Sequence, residues 1–150
     1  MDIRVQSAPF DLGQEASAFA ARQTGQEPGV GAIVTFTGVV RDVAGGLSAM
    51  EIEHYPGMTE AALSQIAEEA MDRFDLGDVL VIHRHGPLAP DEMIMMVATA
   101  APHRKAAFEA ADFLMDYLKS RAPFWKKEVT GEGTDWVAAK DEDEAALKRW

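Results

Sequence analysis

Proline and glycine divide this chain into short segments whose apolar residues repeat with either a strand-like or a helix-like period. Between the Pro28-Gly29 turn and the Ala44-Gly45-Gly46 loop, the β-branched run from Gly31 to Arg41 predicts a buried strand. Alternating apolar and charged residues from Ala49 to Tyr55 predict a half-exposed strand that ends at Pro56-Gly57. The first part of the chain is therefore expected to supply two consecutive strands.

Two later segments have helical spacing. Thr59 is expected to cap the first helix, and Gly77 is expected to close it. The second helix is expected to begin at Pro102 and to run to about Arg121, because Pro123 cannot extend it.

The remaining apolar segments complete a mixed pattern. Four are expected to be strands: Asp78 to His85, Met93 to Ala100, Phe124 to Val129 and Trp136 to Ala139. Gly86, Pro87 and Pro90 are expected to form a connection, and Asp141 to cap a last helix that ends near Trp150. The order strand, strand, helix, repeated three times, predicts an α+β fold with helices packed on a mixed or antiparallel sheet.

Composition limits the class of protein. The chain has 150 residues, of which 47% are apolar, and this suits one domain, 1–150, with one core. Its apolar runs are too short to span a membrane, and its charged N-terminus has no secretory apolar region, so a cytoplasmic protein is expected. A net charge of −11 argues against nucleic-acid binding but permits a local cationic pocket for a small anion. The absence of cysteine excludes disulfides, a cysteine zinc site and a thiol nucleophile.

Cationic side chains at element ends are the first candidates for a functional site. Arg41, at the end of the predicted buried strand, can hold a phosphate or carboxylate, or can pair with Asp42 on the surface. His103 and Arg104 begin the second helix, where free N–H groups and the helix dipole attract anions. The alternative for this pair is a capping segment with solvated charges.

Two lysines near the end of the second helix are the second candidates. Lys119 precedes the APFWKKE segment, which contains Lys126 and Lys127. Neighbouring residues of an extended segment point to opposite sides, so only one of these two should share a pocket with Lys119. Two ammonium groups in an apolar pocket lower each other's pKa, which would yield a base or nucleophile near neutral pH. The alternative is that Lys119 pairs with Asp116 at the i, i+3 spacing.

The length of the second predicted helix limits which of these candidate residues can bind the same ligand. A continuous helix places His103 and Lys119 about 24 Å apart, too far for one small ligand. They either serve different sites or meet in a homodimer whose interface contains the site, and the second alternative is our hypothesis. His83 and His85 share a strand face, but the sequence shows no clear third metal ligand for them. These two residues and His54 are expected to be core or hydrogen-bonding histidines. No metal and no cofactor are expected.

Seven segments, found in family order from residue 31 onward, together resemble one family, the large, catalytic subunit of molybdopterin synthase. They are GAIVTFTGVVRD (Gly31 to Asp42), EHYPGMTE (Glu53 to Glu60), VIHRHGPL (Val81 to Leu88), HRKAAFEA (His103 to Ala110), MDYLKSRAPFWKKE (Met115 to Glu128), WVAA (Trp136 to Ala139) and KRW (Lys148 to Trp150). The APFWKKE block with the upstream DYLK is specific, whereas the first thirty residues match only loosely.

The resemblance implies a fold and a reaction. The family fold is an α/β hammerhead with an additional antiparallel β subdomain, and two copies form the central dimer of a heterotetramer. The implied partner is a small ubiquitin-like sulfur-carrier subunit with a C-terminal Gly-Gly thiocarboxylate. Two sulfur transfers from it convert cyclic pyranopterin monophosphate (precursor Z) into the dithiolene of molybdopterin, in molybdenum cofactor biosynthesis. The implied activity is that of a sulfurtransferase, and the absence of cysteine fits a subunit that need not carry sulfur itself.

The resemblance also implies site residues. Lys119 and Lys126 match the family's catalytic lysines. The family's contacts to the substrate phosphate and pterin correspond to Arg41, His103 and Arg104 in this sequence.

Further substrate-binding positions follow from the same resemblance. Lys127 and Glu128 extend the pocket segment, and Lys140 stands where some relatives place an arginine that reaches the neighbouring subunit's site. Val39 and Val40 are expected to lie at the substrate, although Val39 replaces a lysine of some relatives and can contact a ligand only through its backbone.

Two other functions fit parts of the pattern. A non-catalytic adaptor would bind the partner's tail but would need no phosphate site. An unrelated anion-binding α+β regulatory domain would not depend on a Gly-Gly thiocarboxylate.

Overall fold

The computed structural model describes residues 1–43, 46–138 and 140–150, which form eight strands and four helices. The strands are β1 (Asp2–Gln6), β2 (Ala32–Val39), β3 (Leu47–His54), β4 (Asp78–Arg84), β5 (Gly86–Leu88), β6 (Met93–Ala101), β7 (Phe124–Thr130) and β8 (Gly133–Trp136). The helices are α1 (Leu12–Ala21), α2 (Met58–Phe74), α3 (Arg104–Arg121) and α4 (Asp141–Ala146), and a 3₁₀ turn follows at Leu147–Arg149.

The strands form two sheets. The first has the order β1-β4-β6-β2, in which β1 and β4 are parallel and the other pairs are antiparallel. The second has the order β5-β3-β7-β8 and is antiparallel throughout. The predicted α+β fold with an additional antiparallel β subdomain is confirmed.

Helices cover both faces of the first sheet. Every residue of β4 is buried, and successive side chains of this strand enter opposite cores. Val79 and Val81 pack in the larger core with α2 and α3, whereas Leu80 and Ile82 pack in the smaller core with Phe19 of α1. The chain thus forms a helix–sheet–helix sandwich, with the second sheet beside it.

The predicted buried strand is an edge strand. β2 pairs only with β6, and its residues Ile33, Phe36 and Val39 are 39%, 39% and 52% exposed. The expectation of a buried strand is therefore wrong, because a β-branched run looks the same at an exposed sheet edge as in the interior. The first sheet consequently ends in an edge strand with exposed apolar side chains on both faces.

Both predicted ends of α2 are wrong, each for a local reason. Gly57, at a φ of 83°, is the N-cap, and its N–H donates to the side chain of Glu60 at 2.7 Å. Thr59 lies inside the first turn instead of capping it. The helix ends at Phe74, because the C-cap residue Asp75 has a left-handed φ of 52° and terminates it before Gly77 is reached.

Other elements differ from the prediction. β1, α1 and β5 were not predicted, and β5 occupies the expected connection after β4. The expected strand from Trp136 to Ala139 is displaced, because β8 already pairs with β7 from Gly133. Ala139 itself lies outside the described residues, as do Ala44 and Gly45 of the expected loop.

Candidate active site

A cavity of about 590 Å³ lies where the two sheets meet the last turns of α3. Its wall comes from the end of β2, from β4, β6 and β7, and from the segment that precedes and begins α4. Cationic groups at its wall are Arg41, Lys119, Lys126 and Lys140.

Lys119 and Lys126 reach this cavity from two elements that Pro123 separates. Helix α3 ends at Arg121, and the chain becomes extended at Ala122, with ψ at 132°. The hydroxyl of Thr59 donates to the Pro123 carbonyl at 3.1 Å and so attaches this corner to α2. The turn brings the last helical lysine and the first inward-facing lysine of β7 to one pocket.

The alternation of β7 determines which lysine faces the cavity. Phe124, Lys126 and Glu128 line it, as expected for every second residue of a strand. Lys127 points elsewhere: its Nζ lies 3.0 Å from a carboxylate oxygen of Glu53 and 4.3 Å from the centre of the Trp136 indole ring. The contribution of Lys127 to substrate binding stays a prediction.

The surroundings of Lys126 lower the pKa of its ammonium group. Burial is the main cause that lowers the pKa of Lys126, because its ammonium group loses water. The charge of Lys119 lowers the pKa further, and the carboxylate of Asp143 opposes the shift. The cavity therefore favours the uncharged amine of Lys126 more than water does.

The chain around Arg41 is directed into the cavity by a register shift. β2 and β6 lose their regular pairing between Gly38 and Val39, and such a bulge re-aims the following residues. Val39 and Val40 line the cavity. The Val40 N–H donates to the Glu92 carbonyl at 2.9 Å and its carbonyl accepts the Asp91 N–H at 2.8 Å, so its side chain is the part that meets a ligand.

The surface pairing considered for Arg41 is not formed in the described part of the chain. Asp42 instead accepts the N–H groups of Val43 and Leu47, at 2.8 and 2.6 Å. Arg41 lines the cavity with an exposed side chain, which leaves its guanidinium available to an anion.

His103 and Arg104 lie at the opposite end of α3 from Lys119. His103 is the N-cap residue but makes no side-chain capping bond, and both side chains are exposed. Neither lines the cavity of its own chain. With about 24 Å of helix between His103 and Lys119, a single chain does not bring them to one small ligand.

The pairing of Lys119 with Asp116 is also not formed among the described residues. The Asp116 carboxylate accepts two hydrogen bonds from Arg149, at 3.0 and 2.7 Å, and one from the Trp150 indole at 2.6 Å. Lys119 is left facing the cavity.

His83 is a cavity residue to which no function was assigned from sequence. Its ring stacks on Phe124, with 3.8 Å between the ring centres, and Nδ1 lies 2.8 Å from the Arg84 carbonyl. Because a carbonyl only accepts, Nδ1 carries the proton and Nε2 is an acceptor. Burial lowers the pKa of His83 to about 3, so the ring is neutral at ordinary pH. The i, i+2 spacing of His83 and His85 in the sequence did not predict the stacking of His83 on Phe124. His85 contacts a different ring, that of His54, with 4.1 Å between ring centres.

The described residues contain neither a metal-binding cluster nor a membrane-spanning helix. Among them, no group of three or more histidine or acidic side chains is arranged to hold a metal ion. In the same part of the chain, no helix combines the length and apolar character needed to cross a bilayer.

The fold and the cavity define an α+β protein whose pocket combines three lysines with an arginine, and comparison with known proteins gives the family. The family model described as "MoaE protein" matches residues 5–121. Among relatives, the molybdopterin synthase catalytic subunit of Cereibacter sphaeroides is 67% identical over 150 residues, covering 100% of both chains. That of Pseudomonas aeruginosa is 53% identical over 152 residues, covering 100% of this chain and 99% of the relative. This chain belongs to the MoaE family.

Solved structures agree with this assignment. The molybdopterin biosynthesis MoaE protein from Burkholderia ambifaria has a TM-score of 0.83 at 52% identity, covering 99% of this chain and 97% of that one. Molybdopterin synthase from Staphylococcus aureus has a TM-score of 0.79 at 28% identity, covering 90% and 96%. A complex of subunits 1 and 2 of molybdopterin-converting factor from Helicobacter pylori has a chain at a TM-score of 0.75 and 17% identity, covering 93% and 90%, which supports the fold.

Proposed function

We propose that this chain is the catalytic subunit of molybdopterin synthase, a sulfurtransferase that acts in its lysine-lined cavity. The observation that carries the proposal is the convergence of Lys119 and Lys126 with Arg41 on one pocket of about 590 Å³. The relatives at 67% and 53% identity bear the name of this catalytic subunit. A pocket of this size suits a small substrate and the end of an extended peptide.

The sulfur comes from a partner in this proposal. A small ubiquitin-like subunit inserts its C-terminal Gly-Gly thiocarboxylate into the cavity. The substrate is cyclic pyranopterin monophosphate. In each transfer the thiocarboxylate sulfur forms a bond to a carbon of the pterin side chain as a carbon–oxygen bond of that side chain breaks. Water then hydrolyses the resulting thioester, which leaves the sulfur on the pterin and the partner's tail as a carboxylate. Two rounds give the dithiolene of molybdopterin.

The cavity side chains have two roles in this chemistry: they stabilise negative charge and they transfer protons. Arg41 holds the substrate phosphate and stabilises the charge that develops as the cyclic ester opens. Lys126, whose pKa burial and Lys119 lower, is better suited to accept a proton from the substrate as an uncharged amine than a fully solvated lysine is. Lys119 lies at the same wall and moves protons as the thiocarboxylate attacks and water leaves. Lys140 and Glu128 face the same space and complete the polar contacts to substrate.

The reaction needs a second copy of the chain. His103 and Arg104 are the proposed pterin and phosphate contacts that do not reach their own chain's cavity, so they serve the cavity of a partner copy. The exposed Ile33 and Phe36 lie on opposite faces of the edge strand β2 and supply apolar contacts at this sheet edge for such a dimer. Sedimentation of an active protein as a monomer would contradict this arrangement.

Product formation in a purified two-subunit assay tests the catalytic role. Lys119→Ala is expected to abolish molybdopterin formation while the thiocarboxylated partner still binds, because the change removes the Lys119 amine and its stem but no other group of the cavity. Lys105→Ala is the matched control, since Lys105 lies on the same helix with an 84% exposed side chain and pairs loosely with Glu109 at 3.9 Å. Near-normal turnover of Lys119→Ala would refute the catalytic assignment.

A further inference from the structure

The last two residues, Arg149 and Trp150, bind the side chain of Asp116 on α3. Arg149 donates to Oδ2 of Asp116 through Nε and Nη2, and the indole Nε1 of Trp150 donates to the same oxygen. Arg149 also lies 2.9 Å from Asp112, one helical period earlier. We name this arrangement of Arg149, Trp150 and Asp116 the C-terminal clasp.

Aromatic packing holds the clasp in place. The Trp150 indole meets Phe74 and Phe113 edge to face, with ring centres 5.9 and 5.5 Å apart. The guanidinium of Arg73 donates to the main-chain oxygen of Trp150. Although Arg149 is half exposed, the side chain of Asp116 is only 13% exposed. The carboxylate is therefore enclosed by its partners and not merely close to them.

The same carboxylate is the natural partner of Lys119. Residues at i and i+3 are neighbours on a helix surface, and Asp116 is the acidic residue at that spacing from Lys119. Positions three and four residues away on either side otherwise hold Met115, Ala122 and Pro123. If Asp116 were released, it could pair with the Lys119 ammonium, which favours the charged form of lysine. A lysine held in that form can neither attack nor accept a proton.

We propose that Arg149 and Trp150 are positioning residues of the reaction: by occupying Asp116 they leave Lys119 directed into the cavity and keep that carboxylate from pairing with its side chain. This rests on the proposed function, because it concerns the same lysine in the same reaction. The clasp acts through Asp116 and touches no substrate.

Other titratable groups also face Lys119 in the cavity, and the substitutions that open the clasp change none of them. They are Lys126 and Glu128 of β7, Arg41 after β2, Lys140 and Asp143 at the start of α4, and the neutral His83 of β4. The effect of opening the clasp is therefore the added effect of one carboxylate. An exposed pair of this spacing changes an equilibrium about two-fold, and a pair in apolar surroundings about ten-fold.

The pH profile of product formation tests the proposal in the intact two-subunit complex. Arg149→Gln with Trp150→Phe keeps the side-chain bulk and an aromatic ring but removes the charge and the indole donor. The rate constant kcat is expected to fall two- to ten-fold on the acidic limb of the profile and to approach the wild-type value at high pH. Adding Asp116→Asn is expected to restore the acidic limb. Arg121→Ala is the matched control, because it removes the ion pair of α3 with Glu144 at 2.6 Å and leaves Asp116 untouched.

A second measurement separates failure of this proposal from failure of the proposed function. The pH dependence of Lys119 acylation, followed by mass spectrometry on the chain alone, needs no turnover. It is expected to shift to higher pH in the Arg149→Gln/Trp150→Phe variant and to return with Asp116→Asn. A loss of kcat that is equal at every pH, or that Asp116→Asn fails to reverse, overturns the proposal. So does unchanged acylation, whereas a wild-type complex that makes no product counts against the proposed function alone.

Discussion

The buried imidazole of His83 makes the stability of this fold depend on pH in a calculable direction. His83 is 4% exposed, stacks on Phe124 and donates from Nδ1 to the Arg84 carbonyl. The charges of Lys126, His85 and His54 add to the main effect, burial, and together these lower the pKa of His83 from 6.5 to about 3. The folded protein therefore binds fewer protons at this site than the unfolded chain does.

The size of the effect follows from proton linkage. A group whose pKa is lower in the folded state contributes its full stability above the unfolded value of 6.5, and this is lost as the pH falls toward about 3. At about pH 5 the unfolded imidazole is charged and the folded one is not, and ~1.5 pH units at ~1.36 kcal/mol each give ~2 kcal/mol. This figure depends little on the folded pKa, provided that it stays well below the experimental pH.

Urea unfolding at about pH 8 and about pH 5, at one protein concentration, measures this difference. The comparison is between the wild type and His83→Gln, since glutamine gains no charge and its amide can still donate to Arg84. The wild type is expected to lose ~2 kcal/mol more than the variant between the two pH values. Any packing cost of the substitution is present at both pH values and cancels. His85→Gln is the control, because burial also lowers the pKa of His85, but its partly exposed ring can still be solvated when charged.

The result that refutes this reasoning is an equal loss of stability in the wild type and in His83→Gln. It would mean that the imidazole takes up a proton in the folded state without penalty. An imidazole proton resonance of His83 that titrates between pH 5 and 7 would contradict the reasoning equally, since the pKa of about 3 predicts a neutral ring throughout that range.

Two further predictions concern stability. Gly31→Ala is expected to lower the free energy of unfolding in urea by ~1–3 kcal/mol, because the new Cβ would lie 2.3 Å from the Pro102 carbonyl oxygen. Gly131→Ala is the control and should be nearly neutral, because its new Cβ would have no atom within 4 Å. Equal effects of the two substitutions would contradict the close approach at Gly31. Lys127→Ala is expected to lower the free energy of unfolding by less than ~1 kcal/mol in thermal melts, since its contacts are an exposed ion pair and a cation–π contact, and a loss of several kcal/mol would contradict this.

Sequence pattern predicted the fold best where local signals agree. Prolines 102 and 123 bracket α3, and β4 and β6 are long apolar runs, so these elements were predicted almost to their ends. β1 was missed because its stability comes from a parallel pairing of Asp2–Gln6 with β4, far away in the chain, which no local pattern reveals. β2 was predicted as a strand but not as an edge strand, since its position in the sheet depends on partners elsewhere.

The candidate site likewise has some features that local sequence predicts and others that depend on tertiary packing. The proximity of Lys119 and Lys126 could be inferred because Pro123 fixes a sharp corner between them. The position of Asp143 at the same cavity could not, because it depends on how the segment before α4 returns across the end of α3. The clasp joins Asp116 to residues 33 and 34 positions away, whereas helical spacing alone pairs Asp116 with Lys119. Helical spacing predicts a possible partner of Asp116 on its own helix, whereas tertiary packing determines which residues Asp116 actually binds.

The charge of the cavity is opposite to that of the chain. The chain carries a net charge of −11, yet the cavity wall has four cationic side chains against the two carboxylates of Glu128 and Asp143. Charges separated by more than ~8 Å are largely screened at physiological salt, so the acidic surface does little to a ligand once that ligand has reached the pocket. A phosphate and a thiocarboxylate both carry negative charge, and both gain from this wall only at contact distance. Selection of the ligand therefore depends on local geometry and on delivery by a bound partner, not on long-range attraction to the chain.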